Sequence, residues 1–182
     1  MSAAKLLYSA TMSLDGFIAG AGGDMSWLTA HLGPNEAVDE LIPRIGALLV
    51  GRNTHGGDDP NRGTDREGAF GGQWHGPEFV LTHEPGEDRP PHLFYVDELE
   101  RGIAAAKEAA GEDSYVNVLG ADVARQCIEI GALDEVLVLI APVLLGDGVR
   151  LFEHPGGAEV ALERISVEAA PAVTNLWFRV AR

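Results

Sequence analysis

Cysteine is almost absent from this chain: Cys127 is the only one in 182 residues. That excludes an internal disulfide and any zinc site built on thiolates. Within "DVARQCIEIG", Val123, Cys127 and Ile130 share one helical face, so the thiol reads as packed core more readily than as a nucleophile. Basic residues are scarce as well. Lys and Arg number 13 against 28 Asp and Glu, a formal net charge of −15. Nucleic acid is a poor partner for such a chain, because neutralising phosphates takes clustered Lys and Arg. No run of about 18 apolar residues occurs, so no membrane span is expected. The opening "MSAAKLLYSATMSLDG" has too short an apolar stretch for a secretion signal and soon meets Asp15. A cytoplasmic location is the expectation. His31, His55, His75, His92 and His154 lack metal-ligand spacing, so no metal is expected. Neither a Gly-x-Ser-x-Gly elbow nor a Walker loop is present, which leaves hydrolase and phosphotransferase readings unsupported.

What is present is ordinary for a soluble globular protein, with 46% hydrophobic and 23% charged residues. The length suffices for one domain with a sizeable core, and residues 1–182 are expected to form one. "KLLYSATMSLDG" reads as a strand turning at Asp15-Gly16. "NEAVDELIPRIG" sets Ala37, Val38, Leu41, Ile42 and Ile45 on one helical stripe, which Pro43 should end or kink. "ALLV", "EFVLT", "LFYV" and "YVNVLG" read as short strands, and "LDEVLVLIAPVLLG" as a strand interrupted by Pro142. "DELERGIAAAKEAAG" predicts a helix with Asp97 as N-cap, Glu100 in its first turn and Gly111 as its stop; "ADVARQCIEIG" predicts another. "LERISVEA" and "NLWFRVAR" alternate apolar with polar residues and predict a closing antiparallel hairpin. Strands alternating with helices imply an α/β fold with a mainly parallel sheet. Segment 56–76, rich in glycine and charge yet carrying Phe70 and Trp74, fits neither element and reads as a lid loop.

The stretch "ALLVGRNTHGG" stands out, because an acidic chain places Arg52 where a buried strand emerges. Two readings are open: an anion site, or a helix start capped by Asn53 or Thr54 with Arg52 merely solvated. In open α/β sheets ligands bind at the carboxyl ends of strands. Four such ends here carry suggestive residues: 11–19, 51–54, 82–83 and 120–123. Asp122 would repel a phosphate and is expected to point aside.

"MSLDGFIAG", "LLVGRNTH", "FVLTHEP" and "VLGADVARQCIEIGALDEVLVLIAPVLLGDGVRLF" resemble, in the same order, the dihydrofolate reductase-like superfamily. The branch they are most similar to contains the reductase domain of bacterial riboflavin biosynthesis. The resemblance spans roughly residues 5–180 and implies a three-layer α/β sandwich with a mixed, mainly parallel sheet. It also implies NADPH along the carboxyl edge and hydride transfer to a small-molecule substrate, a heterocycle or a carbonyl or imine compound. Gly51, Arg52, Asn53 and Thr54 would hold the pyrophosphate and the adenosine phosphate. Thr82 and His83 would approach the 2′-phosphate, Gly120, Ala121, Asp122 and Val123 the pyrophosphate, and Thr11, Ile18 and Ala19 the nicotinamide. Relatives often carry a Gly-Gly pair joined by a cis bond where this chain has Leu119-Gly120, which bears on cofactor affinity. Members of the superfamily commonly pair as homodimers, here through "EVLVLIAPVLLG" and the hairpin.

Reducing a C=N or C=O bond also takes a proton, from a carboxylic acid or a bound water. The folate-binding acid of dihydrofolate reductases falls near Leu32 and so is missing. Asp15 and Asp24 are the candidate acids, although Asp15 suits the turn after the first strand more readily than acid chemistry; Glu36 and Asp39 suit a helix start or solvent. Trp27 is a candidate for stacking on the substrate, with Trp74 closing over it from the lid. Alternatives to a general reductase are a non-catalytic dinucleotide-binding module and a reductase of an aminopyrimidine ribosyl phosphate. The last lacks a second basic cluster and a fused deaminase.

Overall fold

The computed structural model describes residues 2–88 and 90–181. The chain opens with β1 (Lys5–Ser13) and β2 (Phe17–Ala19), then crosses through α1 (Glu36–Leu41) to β3 (Ile45–Gly51) and the single turn α2 (Arg52–His55). After a long loop come β4 (Glu78–Leu81), β5 (Leu93–Val96), α3 (Leu99–Ala110), β6 (Tyr115–Leu119), α4 (Ala121–Glu129) and β7 (Glu135–Ala141). The short β8 (Val149–Arg150) and the hairpin β9 (Leu162–Ala169) and β10 (Thr174–Val180) complete it. Eight strands form one sheet in the order β5-β4-β3-β6-β1-β7-β10-β9, parallel from β5 to β7 and antiparallel across β10 and β9. A separate pair, β2 and β8, flanks the end of β1.

The parallel strands are apolar on both faces because both are covered. On one side Leu6, Tyr8, Leu49, Val116, Val118 and Val138 meet Ile103 and Ala106 of α3 and Val123, Ala124 and Cys127 of α4. On the other, Leu7, Leu48, Val50 and Leu137 meet Leu41 of α1, with Phe70 and Trp74 from the long loop packed against them. Each fully buried Leu or Val contributes about 1.5–3 kcal/mol, so two covered faces anchor the strand ends firmly. Cys127 lies wholly inside, and burial pushes its thiol up to about 12, the state of an inert core group.

Two expectations are corrected. Ile45 is the first residue of β3 and not part of the helical stripe: α1 stops at Leu41, and Ile42–Arg44 tighten into a 3-10 turn containing Pro43, which has no N–H to continue an α-helix. The N-cap of α3 is Glu98 rather than Asp97, since the first helical bond runs from Gly102 N to Glu98 O; Asp97 instead pairs with Arg101 at 3.8 Å.

A polar knot fastens the amino edge of the sheet. Glu135, with a side chain 4% exposed, accepts from Lys5 Nζ at 2.8 Å, Tyr115 Oη at 3.0 Å and Trp177 Nε1 at 2.9 Å. Arg44 lies 4.8 Å over the Tyr115 ring. Burial, reinforced by Glu135, pushes the Tyr115 hydroxyl up to about 12, so it stays a donor to the carboxylate.

Candidate functional site

The topology singles out the opposite, carboxyl edge. The chain lays down β1 and β3 first and only later inserts β6 between them. Open α/β sheets bind ligands where the strand order reverses in this way. Val50 pairs with Leu119 and Gly51 with Leu81, so the loops leaving β3, β6 and β4 emerge side by side.

Two glycine turns meet there. Gly120, the N-cap of α4, has φ +105°, and a Cβ on it would stand 2.6 Å from Thr54 Oγ1 and 3.8 Å from Gly51 N. A Cβ on Gly51 would stand 3.1 Å from Val123 Cγ2. An added methyl would collide at Gly120, where the positive φ also favours glycine, and would press tightly on Val123 at Gly51. The first internal bond of α4 runs from Ala124 N to Gly120 O, leaving the amides of Ala121, Asp122 and Val123 without acceptors inside the helix. Asp122 does not obstruct them. Its carboxylate folds along the helix to Arg125 Nη2 at 2.6 Å and Gln126 Nε2 at 2.8 Å. A glycine cradle beside helix amides suits the pyrophosphate of a dinucleotide, so these residues fit that group.

Arg52 and Asn53 lie exposed beyond the cradle, and the Arg52 guanidinium donates to the Glu84 carboxylate. Thr82 anchors the neighbouring turn: its amide bonds Val96 O at 2.8 Å and its hydroxyl accepts from Glu84 N at 3.0 Å. His83 is exposed beside it. On the other flank, Thr11 is half-buried in β1, and Ile18 and Ala19 belong to β2, which pairs with β8.

Neither candidate acid is placed as a proton donor. Asp15 Oδ1 accepts from Ser13 Oγ at 2.6 Å and Leu145 N at 3.0 Å, and Oδ2 from Gly146 N at 2.7 Å. The Ser13 hydroxyl first, then the Leu145 amide, hold its carboxyl down to about 2. It fastens the 144–146 loop to the turn after β1. Asp24 accepts from the amide and hydroxyl of Ser26, each at 3.0 Å, which likewise lowers its pKa and makes it a local turn clasp. Groups held ionised by donors have no proton to give near neutrality.

The tryptophans part company. Trp27 sits half-buried in the 3-10 helix Ser26–His31, its ring 6.1 Å from His31, and its buried indole N–H meets no acceptor. Trp74 donates to Ile45 O at 2.9 Å, at the start of β3, the end of the strand away from Gly51. The expectation that it closes over the pocket is corrected accordingly. Loop 56–76 is pinned on the face of the sheet and stapled within itself: Asp59 accepts from Asn61 N at 2.7 Å and Gly68 N at 2.8 Å. Its beginning reaches the Trp27 segment, where Asp58 accepts from Met25 N at 3.2 Å.

The sequence pattern of the RibD C-terminal domain matches residues 4–175. The chain belongs to that family. A curated protein of similar sequence is Uncharacterized protein YyaP of Bacillus subtilis (strain 168), 26% identical over 81% of this chain and 80% of the relative. Among solved structures, a putative riboflavin biosynthesis protein from Shewanella sp. PV-4 superposes with TM-score 0.76 at 23% identity, covering 98% of this chain and 99% of that one. Dihydrofolate reductase from Enterococcus faecalis, complexed with NADP(H), superposes with TM-score 0.62 at 16% identity, covering 98% and 97%. This RibD C-terminal domain thus has the dihydrofolate reductase-like fold. Its peptide bonds are all trans among the described residues, that of Leu119-Gly120 included. Sequence reasoning passed over Glu84. A carboxylate 32 positions from Arg52 leaves no periodic signal, and only the parallel pairing of β3 with β4 brings the two together.

Proposed function

We propose that the protein is an NADPH-dependent reductase of a small heterocyclic, carbonyl or imine compound. The observation that carries the reading is the cradle of Gly51, Thr54 and Gly120, where one added methyl group would collide, set against the first amides of α4. Gly120, Ala121, Asp122 and Val123 would hold the pyrophosphate through backbone N–H groups. Arg52 would grip the adenosine 2′-phosphate with two parallel N–H bonds, helped by Asn53, Thr54, Thr82 and His83. Thr11, Ile18 and Ala19 would line the nicotinamide. When bound, NADPH supplies a hydride; the chain's task is placement, and Trp27 offers a flat apolar surface for the substrate ring. With Asp15 and Asp24 kept ionised, the proton enters from solvent water rather than from either carboxyl. The "EVLVLIA" strand expected to share in pairing is β7, which lies inside the sheet between β1 and β10 and has no free edge, so that part of the expectation is corrected. The exposed strand β9 of the hairpin, with Leu162, Ile165 and Val167 each more than two-fifths exposed, supports pairing with a second copy of the chain.

Thermal-shift titration tests the cofactor reading. NADPH is expected to raise the melting temperature more than NADH does, and Arg52→Ala to erase most of the difference. Equal shifts from both nucleotides in the unaltered protein would remove Arg52 from the phosphate. A non-catalytic binding module has a distinct signature: protection by NADPH, with none oxidised across a panel of heterocyclic, carbonyl and imine compounds.

A further inference from the structure

We propose that Glu84 sets which adenosine carrier the edge accepts, by occupying the Arg52 guanidinium that a 2′-phosphate would otherwise take. The inference rests on the nucleotide reading above and goes beyond it, because it gives the edge a built-in competitor. Gly51 pairs with Leu81 across the parallel strands β3 and β4, so Arg52 and Glu84 leave the sheet on adjacent loops. Arg52 Nη1 donates to Glu84 Oε2, with side chains 58% and 74% exposed. Backbone bonds fix where Glu84 stands. Glu84 N donates to Thr82 Oγ1 at 3.0 Å, Thr82 Oγ1 donates to Glu84 O at 3.2 Å, and Thr82 N is tied to β5 through Val96 O at 2.8 Å. The carboxylate is therefore presented by an anchored turn, not by a wandering loop.

The two carriers differ at one group. A phosphate monoester brings a charge between about −1.5 and −2 at pH 7, whereas a ribose 2′-hydroxyl brings none. At Arg52 the phosphate must displace Glu84 from the guanidinium and then sit beside its negative charge. The uncharged hydroxyl meets no such penalty. Glu84 thus weakens binding of the phosphorylated carrier and leaves the unphosphorylated one almost untouched. NADPH remains favoured through Arg52, but by a smaller margin than Arg52 alone would give. An exposed ion pair is individually weak, so most of the effect is repulsion of the phosphate.

The test is calorimetric titration of the full chain with NADPH and with NADH at pH 7 and about 50 mM salt, where surface charges are poorly screened. Glu84→Gln is compared with Glu87→Gln, which makes the same charge change at an exposed residue further along the loop. Glu84→Gln is expected to tighten NADPH about fivefold or more and to change NADH by less than about twofold. Glu87→Gln is expected to leave the NADPH-to-NADH ratio alone. If the unaltered protein binds both nucleotides and Glu84→Gln moves them equally or not at all, the cofactor reading stands and the role of Glu84 is overturned. It is overturned too if Glu87→Gln reproduces the effect, which would then belong to the overall charge. If neither nucleotide binds the unaltered protein, the cofactor reading fails and takes this inference with it.

Discussion

Asp15 shows how surrounding donors convert an acid into a rivet. Its folded pKa, about 2, lies below the ordinary aspartate value of about 3.9. A depressed carboxyl contributes stability that is fully present above the unfolded pKa and is lost as pH falls through the folded one. Asp15→Asn is therefore expected to lower the melting temperature at pH 7. The gap from the unaltered protein should narrow between about pH 4 and pH 2. A gap that stayed constant down to pH 2 in a melting series would mean that the carboxylate charge contributes nothing. The Asp-Gly turn itself was legible, because those two residues favour turns locally. Its partners Leu145 and Gly146 were not, for they lie 130 and 131 positions away. The same distance problem hid Glu84, while Arg52 was conspicuous by standing at the end of an apolar run.

The elements were easier to read than their order. Apolar runs marked every strand of the parallel sheet, because burial on two faces imposes that pattern, and alternation marked the hairpin although β9 lies almost wholly exposed. That β6 slides between β1 and β3 is a long-range choice no local pattern encodes. Trp74 misled for a related reason: an aromatic in a glycine-rich loop announces burial but not which surface buries it. The glycine turns allow a test at this scale. Gly120→Ala should cost about 1–3 kcal/mol and abolish the thermal shift produced by NADPH, since the new methyl meets Thr54. Gly131 also has positive φ, but open space surrounds the methyl it would gain. Gly131→Ala should therefore cost about 1 kcal/mol and keep the NADPH response. Denaturant melts with and without NADPH compare the two. Equal NADPH responses in both variants would mean that the cradle does not meet the ligand.

For the whole molecule the informative features are its charge and its free edge. At −15 the surface repels anions in general, which makes the positive character of Arg52 and of the helix amides local and selective. Among the described residues no helix is long and apolar enough to cross a membrane. Strand β9 closes one side of the sheet with Val167 52% exposed, and such an edge invites a partner strand. Light scattering at low concentration is expected to give twice the 19.3 kDa of one chain, and Val167→Lys to weaken the association about tenfold or more. A single-chain mass for the unaltered protein would remove the pairing.

Loop 56–76 is held at both ends, by Asp58 against Met25 and by Trp74 against Ile45, while Gly63 and Gly68 between them face open space. Those two attachments brace it like a bracket against a wall. A dye or epitope grafted between those glycines would ride on a stiff mount, reporting the tumbling of the entire body instead of its own slack.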